Sequence, residues 1–241
     1  MSEIKLKKLT FSFNPKKDSV PILKEVNATF FDKKVNVIVG ESGCGKSTLL
    51  RCIAGLYRYQ GEILFDDLSV DHLETQQRDV AYVNQNYALY PHYKIFDSIS
   101  FPLRVAHCPI KEVRERVYEV ADELGIRHLL NYKPAELSGG EKQRACLARA
   151  LVKRADIILF DEPLSNVDES SRLNYRHFIR KMVEKYGSTA IYVTHDLNEA
   201  VLLGDYINLM EDGKIIYSGT TLEAQRTKNK KVREFFIKHE N

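Results

Sequence analysis

Val35-Asn36-Val37-Ile38-Val39 runs directly into Gly40-Glu41-Ser42-Gly43-Cys44-Gly45-Lys46-Ser47-Thr48, and Lys46–Ala54 then reads as a helix. A short β-branched run, a glycine-rich turn and a helix, in that order, form the setting of a phosphate-binding loop. The spacing G-x-x-x-x-G-K-[ST] is complete. Glycines let the backbone wrap an anion with its N–H groups inward. Lys46 would place a charge on the β and γ phosphates, and Ser47 would lend a hydroxyl to Mg²⁺. The helix adds its positive N-terminal end. Gly40, Ser42, Gly43, Cys44, Gly45, Lys46, Ser47 and Thr48 are therefore candidate nucleotide contacts.

The rest of the chain alternates strands with helices. Strand-like runs lie near Ile4–Phe13, Ile22–Phe31, Ile63–Phe65 and Val80–Val83. Ile157–Phe160 and Ala190–Val193 are further buried strands, with helices predicted over Glu169–Lys185 and Leu197–Leu203. Such alternation implies an α/β fold with a parallel sheet covered on both faces. Ligands in such sheets sit beyond the carboxyl ends of the strands. Lys46, Asp161-Glu162 and His195 all fall there. Between Ala88 and Ala135 the pattern turns helical: Val113, Val117, Val120 and Leu124 recur at helical spacing, and Gly125 supplies a stop.

Asp161-Glu162 ends a run of four apolar residues. Beside a phosphate loop, the aspartate is placed to hold the Mg²⁺ shell and Glu162 to polarise a water for in-line attack. Leu137-Ser138-Gly139-Gly140-Glu141-Lys142-Gln143-Arg144 opens a helix with small interior residues. Its S-x-x-E spacing is that of a capping box. Two adjacent glycines leave the helix end bare, which also makes it an anion site. The two readings are compatible.

With Leu137–Gln143 added to the phosphate loop, the chain resembles the ATP-binding subunit of an ABC transporter, from about Leu6 to Thr220. The resemblance implies a P-loop NTPase (RecA-like) fold: a mostly parallel sheet core, an antiparallel β subdomain and a helical insert subdomain. One ATP-binding domain would span residues 4–235, with the core at about 1–85 and 137–225 and the insert at about 86–136. It further implies ATP and Mg²⁺ as cofactors and a second ATP-binding subunit facing the first head to tail. Ser138, Gly139 and Gly140 of one copy would complete the site holding the other copy's γ phosphate. Gln85 matches a glutamine that contacts Mg²⁺ and the attacking water. His195, in Thr194-His195-Asp196, matches the switch histidine at the γ phosphate. Asp168, in Ser165-Asn166-Val167-Asp168, matches the loop that crosses the dimer interface. Phe13 fits the aromatic that stacks on adenine; Phe11 is the alternative, and one of the two must face the core.

The family branch is constrained too. No long coiled coil separates Thr48 from Leu137, and no run of 18 apolar residues supplies a membrane span. Transmembrane permease subunits would therefore be separate chains, with this one at the cytoplasmic face of the membrane. Tyr132–Glu136 and Asn86–His92 resemble importer subunits for sugars and related solutes, which implies a solute-binding protein in the full complex; an exporter ATPase is the alternative. Such importer subunits usually continue into a regulatory β domain, whereas the sequence ends at Asn241. The aromatics Tyr87, Tyr90, Tyr93 and Phe96 suit either a groove for a membrane subunit or packing of the insert. A net charge of +3 and a pI of 8.5 lack the concentrated basic face of a nucleic-acid binder. Four cysteines without C-x-x-C spacing suit a reducing compartment. The basic tail, residues 226–241, reads as a solvated helix or a lipid-contacting one.

Overall fold

The computed structural model describes residues 3–14, 20–84, 89–165, 167 and 169–238. In chain order the first half holds β1 (Ile4–Phe11), β2 (Leu23–Phe30), β3 (Val35–Val39), α1 (Lys46–Ile53), β4 (Gln60–Phe65), β5 (Leu68–Ser69) and β6 (Val80–Val83). The helices α2 (Ile95–Val105), α3 (Ile110–Glu123) and α4 (Gly139–Leu151) follow. The last part holds β7 (Ile157–Asp161), α5 (Glu169–Tyr186), β8 (Thr189–Thr194), α6 (Leu197–Leu203), β9 (Tyr206–Glu211), β10 (Lys214–Thr220), α7 (Thr221–Arg226) and α8 (Lys230–Lys238).

Two sheets result. The central one has the order β10-β9-β3-β8-β7-β6; all its pairings are parallel except β9 with β10. The other is antiparallel, in the order β2-β1-β4-β5. This is the α/β P-loop NTPase architecture. Strands β3, β7 and β8 are buried along their whole length, as central parallel strands covered on both faces must be.

Pleating divides the core. Val37 and Val39 turn to one face of the central sheet, with Phe160, Tyr192 and the helices of the insert. Ile38 turns to the other, with Leu159 and Ile191. There α1 is sandwiched between the sheets, its Leu49, Leu50 and Ile53 meeting Ile4, Leu9 and Phe30 of the antiparallel sheet. The helix that begins at Lys46 is thus held from both sides.

The β9–β10 hairpin was not read from the sequence, although Asp212-Gly213 carries its signal. Both residues have positive φ, 46° and 77°, the geometry a two-residue hairpin turn requires. Helix α2 falls within the helical insert expected from the sequence, although Pro102 in its interior argues against a helix locally. The basic tail is neither wholly solvated nor free: α8 buries Val232 and Phe235 in the core, and Lys231 pairs with Glu211.

Candidate nucleotide site

The loop after β3 is shaped by its neighbours as much as by its own glycines. A Cβ on Gly40 would lie 2.2 Å from the Met210 carbonyl oxygen, so the backbone passes where no side chain fits. Gly45 has φ 110° and forms the N-terminal boundary of α1. The β9–β10 turn braces the loop: the Gly213 N–H donates to the Cys44 carbonyl at 3.1 Å, and the Lys24 N–H donates to the Gly213 carbonyl at 2.9 Å. Lys46 is almost fully buried, and its ammonium donates to the Gly40 and Glu41 carbonyls at 2.8 and 2.9 Å. Burial pushes the neighbouring Cys44 thiol pKa up, so this cysteine is a poor nucleophile. A cavity of about 560 Å³ lies against Gly40–Cys44, between the β9–β10 turn and α8.

Strand β7 delivers Asp161 to the first turn of α1. The Ser47 hydroxyl donates to Asp161 Oδ1 at 2.6 Å. The Tyr82 hydroxyl donates to Oδ2 at 2.7 Å. Burial of that phenol, and then the Asp161 charge beside it, push the Tyr82 pKa up, so it remains a donor. Among the described residues no cluster of three or more His, Cys, Asp or Glu side chains could hold a metal by itself. One hydroxyl and one carboxylate oxygen nonetheless suit Mg²⁺, a hard cation that takes few protein ligands and fills its shell with water and phosphate oxygens.

Glu162 follows with φ 46°, a left-handed conformation that costs a non-glycine residue on the order of 1–3 kcal/mol. Its N–H donates to the Val193 carbonyl at 3.1 Å. Its Oε2 lies 3.2 Å from His195 Nδ1. His195 is more than half exposed, at the carboxyl end of β8. Beneath it Glu199 is buried and accepts from the Thr194 hydroxyl at 2.8 Å and the Tyr192 hydroxyl at 3.0 Å.

The Leu137–Arg144 segment has a different set of partners. Ser138 caps α4, its oxygen accepting from the Glu141 N–H at 3.4 Å, while Glu141 accepts from the Ser138 N–H at 2.8 Å. A Cβ on Gly139 would meet no atom of the described residues within 4 Å. Among the described residues no neighbour demands glycine there. Tyr175 donates to the Gly140 carbonyl at 3.1 Å. Gln143, buried, donates to the Pro163 carbonyl and so ties α4 to the segment after Glu162.

The two candidate adenine aromatics separate by exposure. Phe11 is buried and stacks on Tyr57 with ring centroids 4.9 Å apart. Phe13 is 68% exposed and meets Phe11 edge-on at 5.1 Å. Phe11 is the one that faces the core. Gln85 and Asp168 lie outside the described residues, as does Tyr87. The aromatic group of the insert divides. Tyr90 meets Tyr93 and Phe101 at 5.2 and 5.0 Å on the surface, whereas Phe96 packs against Tyr118.

Residues 23–165, which hold the phosphate loop, the capped helix end and Asp161-Glu162, match the family described as ABC transporter. The chain belongs to the ABC transporter family. Among its relatives, the sn-glycerol-3-phosphate import ATP-binding protein UgpC of Psychromonas ingrahamii is 42% identical over 224 residues, covering 92% of this chain and 59% of the relative. The oligosaccharides import ATP-binding protein MsmX of Bacillus subtilis is 42% identical over 221 residues, covering 91% of this chain and 60% of the relative. The chain thus spans about 60% of the length of these curated relatives. Among solved structures, the dimeric bacterial ABC transporter cassette MJ0796 matches with a TM-score of 0.82 at 29% identity, covering 90% of this chain and 98% of that one. A post-hydrolysis state of the same cassette, bound to ADP and Pi, matches with a TM-score of 0.81.

In this ABC chain no described helix is long and apolar enough to cross a membrane. Two polar groups around the site escaped the sequence reading. Tyr82 lies on β6, where a half-buried tyrosine needs a partner for its hydroxyl. Gln143 belongs to the Leu137–Arg144 segment, but its bond to Pro163 cannot be inferred from spacing.

Proposed function

We propose that this chain is the ATP-hydrolysing subunit of a membrane importer, working at the cytoplasmic face through separate permease subunits. The observation that carries the catalytic reading is the contact between Ser47 and Asp161, with Glu162 next in sequence and His195 on its carboxylate. In this reading the phosphate loop holds the ATP phosphates with its N–H groups, and Lys46 turns its ammonium to the β and γ oxygens. Ser47 and Asp161 hold Mg²⁺, with Gln85 as a further ligand. Bound there, Mg²⁺ would neutralise charge building on the phosphate oxygens. Glu162 accepts the proton of a water aimed at the γ phosphorus, and His195 steadies that phosphate and the Glu162 carboxylate. Phe13 presents its exposed face to adenine, since Phe11 is committed to the core.

One copy is incomplete by itself. The Ser138–Gly140 end of α4 bonds within its own neighbourhood and leaves Gly139 open to the outside. A second copy, or a close relative, placed head to tail brings that end to a nucleotide held by the facing Lys46, with Asp168 at the interface. Donors aimed at the γ phosphate then act on its developing charge. That a similar cassette is dimeric supports the pairing of two such chains. The exposed Tyr90 and Tyr93, with half-buried Phe101 beside them, form the surface on the insert that we assign to a permease subunit. The named importers among the relatives favour uptake of a polar solute such as a sugar or glycerol phosphate, received from a solute-binding protein.

The test is purification of the chain from detergent-solubilised membranes. Permease subunits should accompany it, and ATP hydrolysis by the complex should rise when the cognate solute-binding protein is added. Hydrolysis with no membrane subunit attached and no such stimulation would overturn the importer reading.

A further inference from the structure

The carboxylate of Asp161 is gripped at both oxygens, and the sequence motifs account for only one of them. Oδ1 accepts from Ser47 and Oδ2 from Tyr82. Tyr82 reaches it because β6 and β7 are parallel neighbours in a register that sets Val83 opposite Phe160. The positive charge of Arg51 nearby opposes the rise in the Tyr82 pKa. Arg51 also donates to the Tyr57 hydroxyl at 3.1 Å, and Tyr57 stacks on the buried Phe11. Ser47 and Arg51 stand four residues apart on α1, one turn along the same face. Ser47 and Tyr82 therefore hold Asp161 from α1 and from β6, and Arg51 stands one turn beyond Ser47 on that helix. That helix is itself clamped between two sheets.

We propose that Tyr82 is a positioning residue for Asp161: its phenol occupies Oδ2 so that Oδ1 alone is presented beside Ser47 to the metal of the nucleotide site. The inference rests on the nucleotide and metal reading given above. Without the phenol, Asp161 is free to rotate about its Cβ–Cγ bond and to offer either oxygen. Partners that orient a metal ligand in this way typically contribute about tenfold or more to metal affinity. A phenylalanine at position 82 keeps the packing against the apolar side of the sheet and removes only the oxygen.

The test measures binding, not turnover. The non-hydrolysable analogue AMP-PNP is titrated calorimetrically into the full chain, once in EDTA and once in excess Mg²⁺, for wild type, Tyr82→Phe, Asp161→Asn and the double variant. Tyr82→Phe should match wild type in EDTA and bind about tenfold more weakly in Mg²⁺. In the Asp161→Asn background the same change should have no further Mg²⁺-dependent effect. Equal affinities of Tyr82→Phe and wild type in Mg²⁺ would overturn the proposal. So would an equal loss in EDTA and Mg²⁺, because that is the mark of a purely structural role. If wild type itself binds no better in Mg²⁺ than in EDTA, the metal reading of Ser47 and Asp161 fails, and the role of Tyr82 fails with it.

Discussion

His195 Nδ1 lies 3.2 Å from Glu162 Oε2, joining the carboxyl ends of two neighbouring parallel strands. The pair couples a strained backbone to an exposed ring: Glu162 has positive φ, and His195 is more than half accessible to solvent. A carboxylate held in this way is fixed in direction yet remains open to a ligand.

Glu162→Gln tests whether that carboxylate takes a proton. The amide keeps the size and the hydrogen-bonding reach but loses the basicity. ATP hydrolysis should fall by roughly 10²–10⁴-fold, the usual range for loss of a general base, while nucleotide binding persists and closed dimers accumulate on gel filtration with ATP. Normal turnover by this variant would remove Glu162 from the base role.

Lys46→Ala addresses the phosphate loop. The ammonium is held over the loop by two carbonyls and is nearly buried. Charge-assisted hydrogen bonds contribute about 1.5–3 kcal/mol each, so ATP affinity should fall by at least about tenfold. Equilibrium binding of a fluorescent ATP analogue reads this directly. Unchanged binding together with unchanged hydrolysis would refute the assignment.

Ser138 separates the cap from the site. Ser138→Ala removes the N-cap acceptor and should cost about 1 kcal/mol, a fall of roughly 2–4 °C in Tm for a chain of this size. Ser138→Arg, mixed with copies carrying Lys46→Ala, asks whether the two motifs meet across an interface. In a head-to-tail dimer both defects fall in one composite site and leave the other intact, so mixed dimers should retain about half of the wild-type rate. Hydrolysis by mixed dimers no higher than that of either variant alone would contradict the arrangement.

Glu199 gives the fold a pH dependence of known sign. Burial raises its carboxyl pKa above 4.5, opposed by the Thr194 hydroxyl. A carboxyl with a raised folded pKa holds its proton in the native state after the unfolded chain has released it. Stability therefore falls as pH rises from about 4.5 through the folded value, and below that window the penalty is absent. Glu199→Gln can still accept from Tyr192 and Thr194 but does not ionise. Its Tm relative to wild type should become more favourable as pH is raised from 4 to 7. A difference that is flat with pH, or that moves the other way, would show that Glu199 is comfortably ionised in the fold.

The parts of the molecule read correctly from the sequence are those whose cause is local. Gly45-Lys46-Ser47 and Ser138–Glu141 each specify a helix start within one turn, and both helices begin there. β7 and β8 were recognised because burial on both faces leaves an unbroken apolar run. The β9–β10 hairpin is not legible despite Asp212-Gly213, because a turn signal does not say which strand β9 pairs with, and its place beside β3 is set only by the sheet. Helix α2 lies in the segment expected to be helical, but its bounds were not legible because Pro102 argues against a helix locally and packing overrides that argument.

By itself the sequence determined that the chain has a phosphate loop, a capped glycine helix end and an acidic strand end. Each of those is written in residues a few positions apart, where covalent geometry limits the outcome. Only the tertiary structure decided that Phe13 and not Phe11 is exposed, that Glu162 meets His195, that Gln143 reaches Pro163, and that Tyr82 takes the second oxygen of Asp161. Those partners lie from 20 to 79 residues apart where hydrogen bonds join them. They meet because parallel strand register and the clamping of α1 between two sheets bring distant side chains to the same strand ends, and hydrogen-bond distance depends on that register rather than on spacing along the chain.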